Sequence, residues 1–173
     1  MNGRGHGIVL IGFMGSGKSS AGRILERKTG WPRFDTDEMI SARFGRPIGE
    51  IFAEFGEEKF RDAETEALKQ LSTATPAVFV TGGGIVLRAG NIELLRRMGT
   101  IVHLEADEEA LFRRVSRRTT RPLLQTENPR ATLGELLRVR LPLYRQVADV
   151  HVDTSGMTHE EVAEEVMKMI EGL

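Results

Sequence analysis

A glycine-rich turn near the N-terminus carries a lysine and a hydroxyl group at the spacing that phosphate binding requires. The stretch GFMGSGKS, from Gly12 to Ser19, fits the pattern G-x-x-x-x-G-K-[ST], follows a short apolar run and opens a helical pattern. Backbone N–H groups in such a turn surround an anion, and glycines are needed because side chains would block its approach. Lys18 is placed to reach the terminal phosphates, and Ser19 to give its hydroxyl to Mg²⁺. This turn, a P-loop, predicts binding of a nucleoside triphosphate.

Two aspartates, Asp35 and Asp37, follow a second strand-like run in the stretch RFDTDEMI. One interpretation is that they only cap the next helix, because aspartate favours that position. The other is a site, because residues two apart on an extended chain point to the same side and both could face one cleft beside the P-loop. The apolar run AVFV ends in TGGG, without a carboxylate for a magnesium shell, which makes Asp35 the natural replacement. Both interpretations can hold together.

Arginines form a third group of candidates. Arg61, in EKFRDAE, lies on a highly charged helical pattern, where a solvated surface arginine is the ordinary interpretation, although Glu64 one turn away could orient it. The stretch RRVSRRTTR could be a nucleic-acid patch, but aromatic residues are missing from it and the net charge of the chain is −1. We therefore expect mostly a solvated helix face from Arg113, Arg114, Arg117, Arg118 and Arg121.

The other polar and aromatic candidates favour structural roles. His103 and His151 fall in predicted strands, where a buried, hydrogen-bonded imidazole is commoner than a metal ligand. Trp31 and Tyr144 are the single residues of their types, and we expect both to be packing residues.

The elements that must position these residues alternate between strand and helix. Apolar runs predict strands at residues 8–11, 77–80, 100–104 and 149–152, and residues 33–36 would form a fifth, short strand. The runs are continuous, which is typical of parallel strands covered on both faces. Helical patterns occupy residues 18–28, 37–43, 48–71, 91–98, 107–117, 132–146 and 158–170, with Gly30 and Asp107 as caps. We predict a parallel α/β fold, with a mobile loop at residues 117–132.

Composition narrows the classes of function. The 173 residues suffice for one domain with a real core, and no apolar run approaches the roughly 18 residues of a membrane span. The net charge argues against wholesale binding of nucleic acid or anionic membranes. Cysteine is absent, which excludes disulfides and is compatible with a reducing cytoplasm. We expect a cytoplasmic monomer that acts on small molecules through a local site.

The P-loop followed in order by FDTD, FR, GGG, RPLL and RLPLYR resembles the shikimate kinase family, and the resemblance covers essentially the whole chain. It implies a three-layer P-loop kinase fold, with a five-stranded parallel sheet, helices on both faces and a mobile lid. It implies ATP-dependent phosphorylation of the 3-hydroxyl of shikimate, giving shikimate 3-phosphate and ADP in aromatic amino-acid (chorismate) biosynthesis. The single domain would span residues 1–173, with a substrate lobe at about 36–72 and a lid at about 117–131.

The resemblance also implies the site residues. Lys18, Asp37 and Arg121 would be catalytic, with Asp37 as the favoured general base and Arg121 meeting the phosphates when the lid closes. Mg²⁺ would be held by Ser19 and Asp35. ATP would contact Gly12, Gly15, Ser16, Gly17, Lys18, Ser19, Ser20, Arg118 and Arg121, with Arg118 against adenine. Shikimate would contact Asp37, Arg61, Gly82, Gly83, Gly84 and Arg140.

Within this implied site, Arg61 and Arg140 would clamp the substrate carboxylate, which suits the planar fork of guanidinium. The backbone N–H groups of residues 82–84 would face substrate and γ-phosphate. Two rivals stay open: a kinase of another polyol acid such as gluconate, or of a nucleotide, and a non-catalytic ATP-binding regulator on the same fold.

Overall fold

The computed structural model describes residues 6–71, 76–117 and 122–172, and its elements follow the predicted order. The strands are β1 (Gly7–Ile11), β2 (Arg33–Asp35), β3 (Val78–Val80), β4 (Gly99–Glu105) and β5 (Val150–Asp153). The helices are α1 (Lys18–Thr29), α2 (Thr36–Phe44), α3 (Ile48–Gln70), α4 (Ala89–Met98), α5 (Glu108–Val115), α6 (Pro129–Val147) and α7 (His159–Glu171). Short 3₁₀ turns lie at Ile85–Leu87 and Pro122–Leu124. The predicted α/β fold is confirmed.

The five strands form one parallel sheet in the order β2-β3-β1-β4-β5, with β1 in the centre. Alternate residues of β1 enter different cores. Val9 and Ile11 pack with α4, α5 and α6, whereas Ile8 and Leu10 pack with α1 and α7. Both faces of β1 are therefore apolar, and this is why its sequence is a continuous apolar run.

The ends of the helices agree with the predicted caps, with one correction. Gly30 ends α1 in the left-handed conformation and donates its N–H to the carbonyl of Glu26, while the Asp107 side chain accepts from the N–H of Ala110. The loop predicted at residues 117–132 is too long, because α6 already begins at Pro129. Asn128 caps that helix by accepting from the N–H of Ala131, and proline suits its first turn.

Helices α2 and α3, between β2 and β3, pack against each other around a separate small core. Ile40, Ile51 and Phe60 are its largest buried members. A kink at Gly56, with a φ of 79°, divides α3 into two halves. In the parts of the chain that the structure describes, no helix has the length and apolar character needed to cross a membrane.

Gly99 allows a close approach of β1 and β4 that no other residue permits. A Cβ atom on Gly99 would lie 1.9 Å from the carbonyl oxygen of Gly7, its partner in the sheet. Gly99→Ala should lower the free energy of unfolding by on the order of 2 kcal/mol, measured by urea unfolding. The matched control is Gly90→Ala in α4, where a Cβ meets nothing within 4 Å; it should be neutral or slightly stabilising. Equal losses in the two variants would contradict this explanation.

Candidate active site

The candidate site lies at the edge of the sheet where β1, β2 and β3 end side by side. The P-loop follows β1, Asp35 ends β2, and glycines 82–84 follow β3. In a parallel sheet the carboxyl ends of neighbouring strands meet at one edge, which is the usual position of ligands. Two depressions open there, and both are lined by Met14, Asp37 and Gly83.

We name the two depressions by their most characteristic residues. The P-loop cleft is lined by the P-loop itself and by charged or polar side chains around it, including Lys18, Ser19, Ser20, Asp35, Arg114 and His159. The arginine pocket lies between α3, α6 and the glycine turn, and its lining includes Phe52, Phe60, Arg61, Glu64, Leu123 and Arg140. Asp37 lies on the boundary between the two.

The P-loop is folded around its own lysine. Gly12, Gly15 and Gly17 all have positive φ angles, and a Cβ on Gly12 would lie 2.3 Å from the carbonyl oxygen of Leu104. The Lys18 ammonium donates to the carbonyl of Gly12 at 2.7 Å and to that of Phe13 at 3.0 Å. The lysine is buried and already held at the mouth of the loop, where a phosphate would meet it.

Arg114 anchors the P-loop, although its position in a run of arginines predicts a solvated helix face. That prediction is wrong for this residue, because its guanidinium donates to Gly15 O at 3.3 Å and to Thr154 O at 2.6 Å. The Thr154 hydroxyl in turn donates to the carbonyl of Ser16. The signal lay in helix spacing, since Arg114 is three residues after the buried Leu111.

Asp35 is a helix cap, as one of the two interpretations predicts, and it also lies beside Ser19 of the P-loop. Its Oδ1 accepts from the backbone N–H groups of Asp37 and Glu38, at 3.0 and 3.4 Å, and caps α2. Its Oδ2 accepts from the Ser19 hydroxyl at 3.4 Å. Burial raises the pKa of Asp35 above its ordinary value. One oxygen serves the fold, and the other faces the P-loop cleft.

Asp37 lines the P-loop cleft, but its backbone conformation differs from the predicted one. It lies in the first turn of α2 and not on an extended chain, so the predicted alternation with Asp35 is wrong. A Cβ on Gly82 would lie 2.8 Å from Asp37 Oδ1 and 2.6 Å from Glu64 Oε1. The two carboxylates therefore press against bare backbone at Gly82.

A second expectation, about the backbone N–H group of Gly82, is also corrected. Its N–H donates to the Thr36 hydroxyl at 3.1 Å, so this donor is used within the protein and is not directed at substrate or phosphate. Gly82 is present in the lining of the arginine pocket, as are Gly83 and Gly84.

Arg61 is buried, which overturns the interpretation of a solvated arginine. Only 5% of it is exposed, and its Nη1 lies 2.6 Å from Glu64 Oε2, as the one-turn spacing predicted. The rings of Phe60 and Phe52 lie 5.4 and 6.0 Å from the guanidinium carbon, within the range of cation–π attraction. A Cβ on Gly84 would collide with the guanidinium. Glycine at 84 is what lets this arginine occupy the pocket.

Arg140 also lines the arginine pocket, and Tyr144 lies one turn after it on α6, buried behind the pocket lining. Arg140 is 4% exposed and lies over the ring of Phe13, with 5.9 Å between the guanidinium carbon and the ring centre. The Tyr144 hydroxyl donates to the carbonyl of Gly83. Burial raises the pKa of Tyr144 to about 12, against the opposing effect of the positive charge of Arg140. Tyr144 is a packing residue, as expected, but it also contacts the site.

His103 matches its predicted structural role, whereas His151 is exposed. Burial lowers the pKa of His103 to about 3, with a smaller contribution from His151, whose Nδ1 lies 3.4 Å away. Among the described residues there is no group of three or more His, Asp or Glu side chains arranged to hold a metal ion. Arg118 and Arg121 lie outside the described residues, as do the other residues of the range 118–121 near the start of the predicted lid.

Comparisons with known proteins agree on one family. The family model described as shikimate kinase matches residues 14–171. A shikimate kinase of Thermodesulfovibrio yellowstonii is 48% identical over 96% of this chain and 95% of its own length. One of Moorella thermoacetica is 46% identical, over 94% of this chain and 93% of its own. The solved structure of shikimate kinase from Acinetobacter baumannii in complex with shikimate superposes with a TM-score of 0.92 at 37% identity, covering 96% of this chain and 93% of that one.

Replacing Glu64 should change how stability depends on pH. Burial raises the pKa of Glu64 from 4.5 to about 6, although Arg61 opposes the shift. Between pH 4.5 and about 6 the unfolded chain has already lost the Glu64 proton while the folded protein keeps it. The free energy of unfolding of the wild-type protein should therefore fall as pH rises through this range, relative to that of Glu64→Gln. The expected relative loss is about 2 kcal/mol, measured by urea unfolding of both proteins below and above the window. Parallel pH profiles would contradict the raised pKa.

Proposed function

The chain belongs to the shikimate kinase family, and from that premise we propose how its residues carry out the ATP-dependent phosphorylation of shikimate. The reaction moves the γ-phosphoryl group of ATP to an alcohol in aromatic biosynthesis. The 3-hydroxyl of shikimate is our proposed acceptor, with shikimate 3-phosphate and ADP as products. Because such transition states are loose, catalysis consists mainly of positioning groups and neutralising charge.

The P-loop cleft would bind the phosphates of ATP. The N-terminus of α1 would offer backbone N–H donors and a favourable dipole, and Lys18 would supply a positive charge near the transferred group. The proposed nucleotide contacts are Gly12, Gly15, Ser16, Gly17, Lys18, Ser19 and Ser20. Arg118 and Arg121 keep their proposed roles at adenine and phosphates, within a lid at about residues 117–131.

The residues present fit a Mg²⁺ ion that arrives with ATP. Ser19 and Asp35 offer two oxygens 3.4 Å apart at the edge of the P-loop cleft, and oxygen is the ligand that Mg²⁺ prefers. Mg²⁺ bound there would neutralise developing charge on the phosphates. The Asp35 oxygen that faces Ser19 is separate from the one that caps α2, so metal binding leaves the cap intact.

The arginine pocket would bind shikimate by its carboxylate. Arg61 and Arg140 are both buried and both line one pocket, and two guanidinium groups suit a carboxylate. Glycines 82–84 give the ring a flat floor, and Phe52 and Phe60 give it an apolar wall. Asp37 would hold the acceptor hydroxyl and accept its proton, since it lies where this pocket meets the P-loop cleft.

The observation that carries this proposal is the pair of buried arginines in a pocket that shares Asp37 with the P-loop cleft. A regulator that only binds ATP has no use for such a second pocket. We further propose a substrate lobe at about residues 36–72, supported by the separate core of α2 and α3. A cysteine-free composition supports our placement in the cytoplasm, and we propose a monomer.

Acceptor choice tests the carboxylate clamp. An ADP-release assay with shikimate, its alcohol analogue, gluconate and nucleoside monophosphates should show clear preference for shikimate. The alcohol leaves two buried guanidinium groups poorly paired. The fall in kcat/KM should therefore correspond to a loss of transition-state stabilisation on the order of 2–4 kcal/mol. Equal turnover of acid and alcohol would rule out the clamp, and faster turnover of gluconate would favour the rival acceptor.

Substitutions at Asp35 and Asp37 should have different effects on the reaction. Asp37→Asn keeps shape and polarity but removes the base, so kcat should fall by about 10²-fold while MgATP binding changes little. Asp35→Asn should raise the Mg²⁺ concentration needed for half-maximal rate and spare shikimate binding, which is measured by calorimetry without nucleotide. If both variants keep full activity and lose only thermal stability, the pair has no role beyond capping α2.

A further inference from the structure

We propose that Arg33 controls when the metal site formed by Ser19 and Asp35 takes a divalent cation: its positive charge opposes binding until nucleotide is present. The inference rests on the proposed function of Ser19 and Asp35 as ligands of Mg²⁺. It gives a role to a partly buried charge that the proposed reaction does not otherwise use.

Arg33 approaches this metal site from strand β2. Residues two apart on a strand point to the same side, and the β3 partners of Arg33 and Asp35 are Val78 and Val80, which belong to the core beside α1. A Cβ on Gly22 of α1 would lie 3.5 Å from Arg33 Cδ, so the arginine stem runs along this helix. The Arg33 side chain is only 13% exposed. Water therefore screens its charge weakly.

The guanidinium divides its contacts between the fold and the metal site. Its Nη2 donates to both carboxylate oxygens of Glu38, at 2.9 and 3.2 Å, and holds α2 against β2. Its Nη1 lies 3.6 Å from Asp35 Oδ2, the oxygen that accepts from the Ser19 hydroxyl. Within the described part of the chain, the buried Nη1 atom has no hydrogen-bond partner. One nitrogen thus serves the fold, and another brings positive charge to the proposed ligand oxygen.

The other carboxylates beside Arg33 leave much of its charge to act on Asp35. Glu26 lies 3.5 Å from Arg33 Nε, but the side chains of Glu26 and Glu38 are about half exposed, whereas that of Asp35 is buried. Ion pairs exposed to water are weak, and buried pairs are screened much less. The Asp35 carboxylate is therefore the group on which the Arg33 charge acts most strongly.

The effect of Arg33 is one of charge and not of orientation. The two N–H bonds to Oδ1 that cap α2 already hold the Asp35 carboxylate in place. Arg33 offsets the negative charge of this carboxylate, and the charges of Lys18 and Asp37, which also line the cleft, oppose each other. A divalent cation that arrives alone therefore meets little net attraction. A bound triphosphate adds several negative charges to the cleft, so the cation binds together with the nucleotide.

Arg33→Gln tests the proposal, because it removes the charge and keeps a polar side chain. Mn²⁺ is the probe, since it takes the same oxygen ligands as Mg²⁺, and electron paramagnetic resonance measures the free ion. The titration uses nucleotide-free protein at about pH 8, where carboxylates are ionised. Mn²⁺ should bind on the order of tenfold more tightly to the variant than to the wild-type protein. Unchanged Mn²⁺ binding would overturn the proposal.

Two further variants separate a local charge from other effects. Arg88→Gln removes one charge from an arginine that pairs with Glu58 and Asp62 and lines neither depression. Its affinity for Mn²⁺ should stay within about twofold of wild type. Arg33→Lys keeps a positive charge at the same position, so Mn²⁺ binding should stay weak. If Arg88→Gln tightens binding equally, or Arg33→Lys behaves like Arg33→Gln, the proposal is wrong.

Asp35→Asn distinguishes failure of this inference from failure of the proposed function. Combined with Arg33→Gln, it should abolish the gain in Mn²⁺ binding, and a gain that persists would overturn the proposal. If Asp35→Asn alone raises the Mg²⁺ requirement of the reaction while Arg33→Gln leaves Mn²⁺ binding unchanged, the role of Arg33 is wrong and the proposed function stands. If Asp35→Asn leaves the Mg²⁺ requirement unchanged, the metal role of Asp35 fails, and the role of Arg33 fails with it.

Discussion

The whole site depends on one constraint: at several glycines the backbone lies directly against polar atoms, where a Cβ atom would not fit. Gly12 approaches the carbonyl of Leu104, Gly82 approaches two carboxylates, and Gly84 approaches the guanidinium of Arg61. These close approaches occur where strands β1 and β3 end, beside the central strands of the sheet. The short distances bring the P-loop cleft and the arginine pocket close enough to share Asp37.

The same closeness requires that buried charges be balanced within the protein. Lys18 is held by carbonyl oxygens of its own loop, and Arg61 is paired with Glu64 and Glu57. Removing charges from water is costly, and hydrogen bonds in fixed positions offset part of that cost. The cationic groups are therefore ordered before an anionic ligand arrives, which reduces the reorganisation that binding requires. Glu64 also stands between Arg61 and Asp37, and its raised pKa reflects how tightly this group is packed.

The order of strands and helices could be predicted from the sequence, because the central strands are continuous apolar runs and several helices have recognisable caps. The P-loop could be predicted for the same reason: its backbone conformation needs glycines at fixed spacing. The sequence did not reveal that Arg61 is buried, because its helix is rich in charge and only the tertiary packing of Phe52, Phe60 and Gly84 covers it. Arg114 was hidden in a run of arginines, and its bonds to Gly15 and Thr154 join segments far apart in the chain. Helix spacing after the buried Leu111 indicates that Arg114 is partly covered, but it does not reveal which distant groups the guanidinium contacts.

The separate core of α2 and α3 has a consequence for how the choice of acceptor can evolve. These helices form one continuous insert between β2 and β3, and apart from Leu68, near the end of α3, their buried apolar residues form a core separate from the two cores of the sheet. Substitutions in the insert can therefore reshape one wall of the arginine pocket without disturbing the P-loop or the strand order. The other wall belongs to α6, which is anchored in the main core through Tyr144. Selection for a new acceptor can therefore act on the wall formed by α2 and α3. The wall that carries Arg140 is constrained by the packing of α6 in the main core.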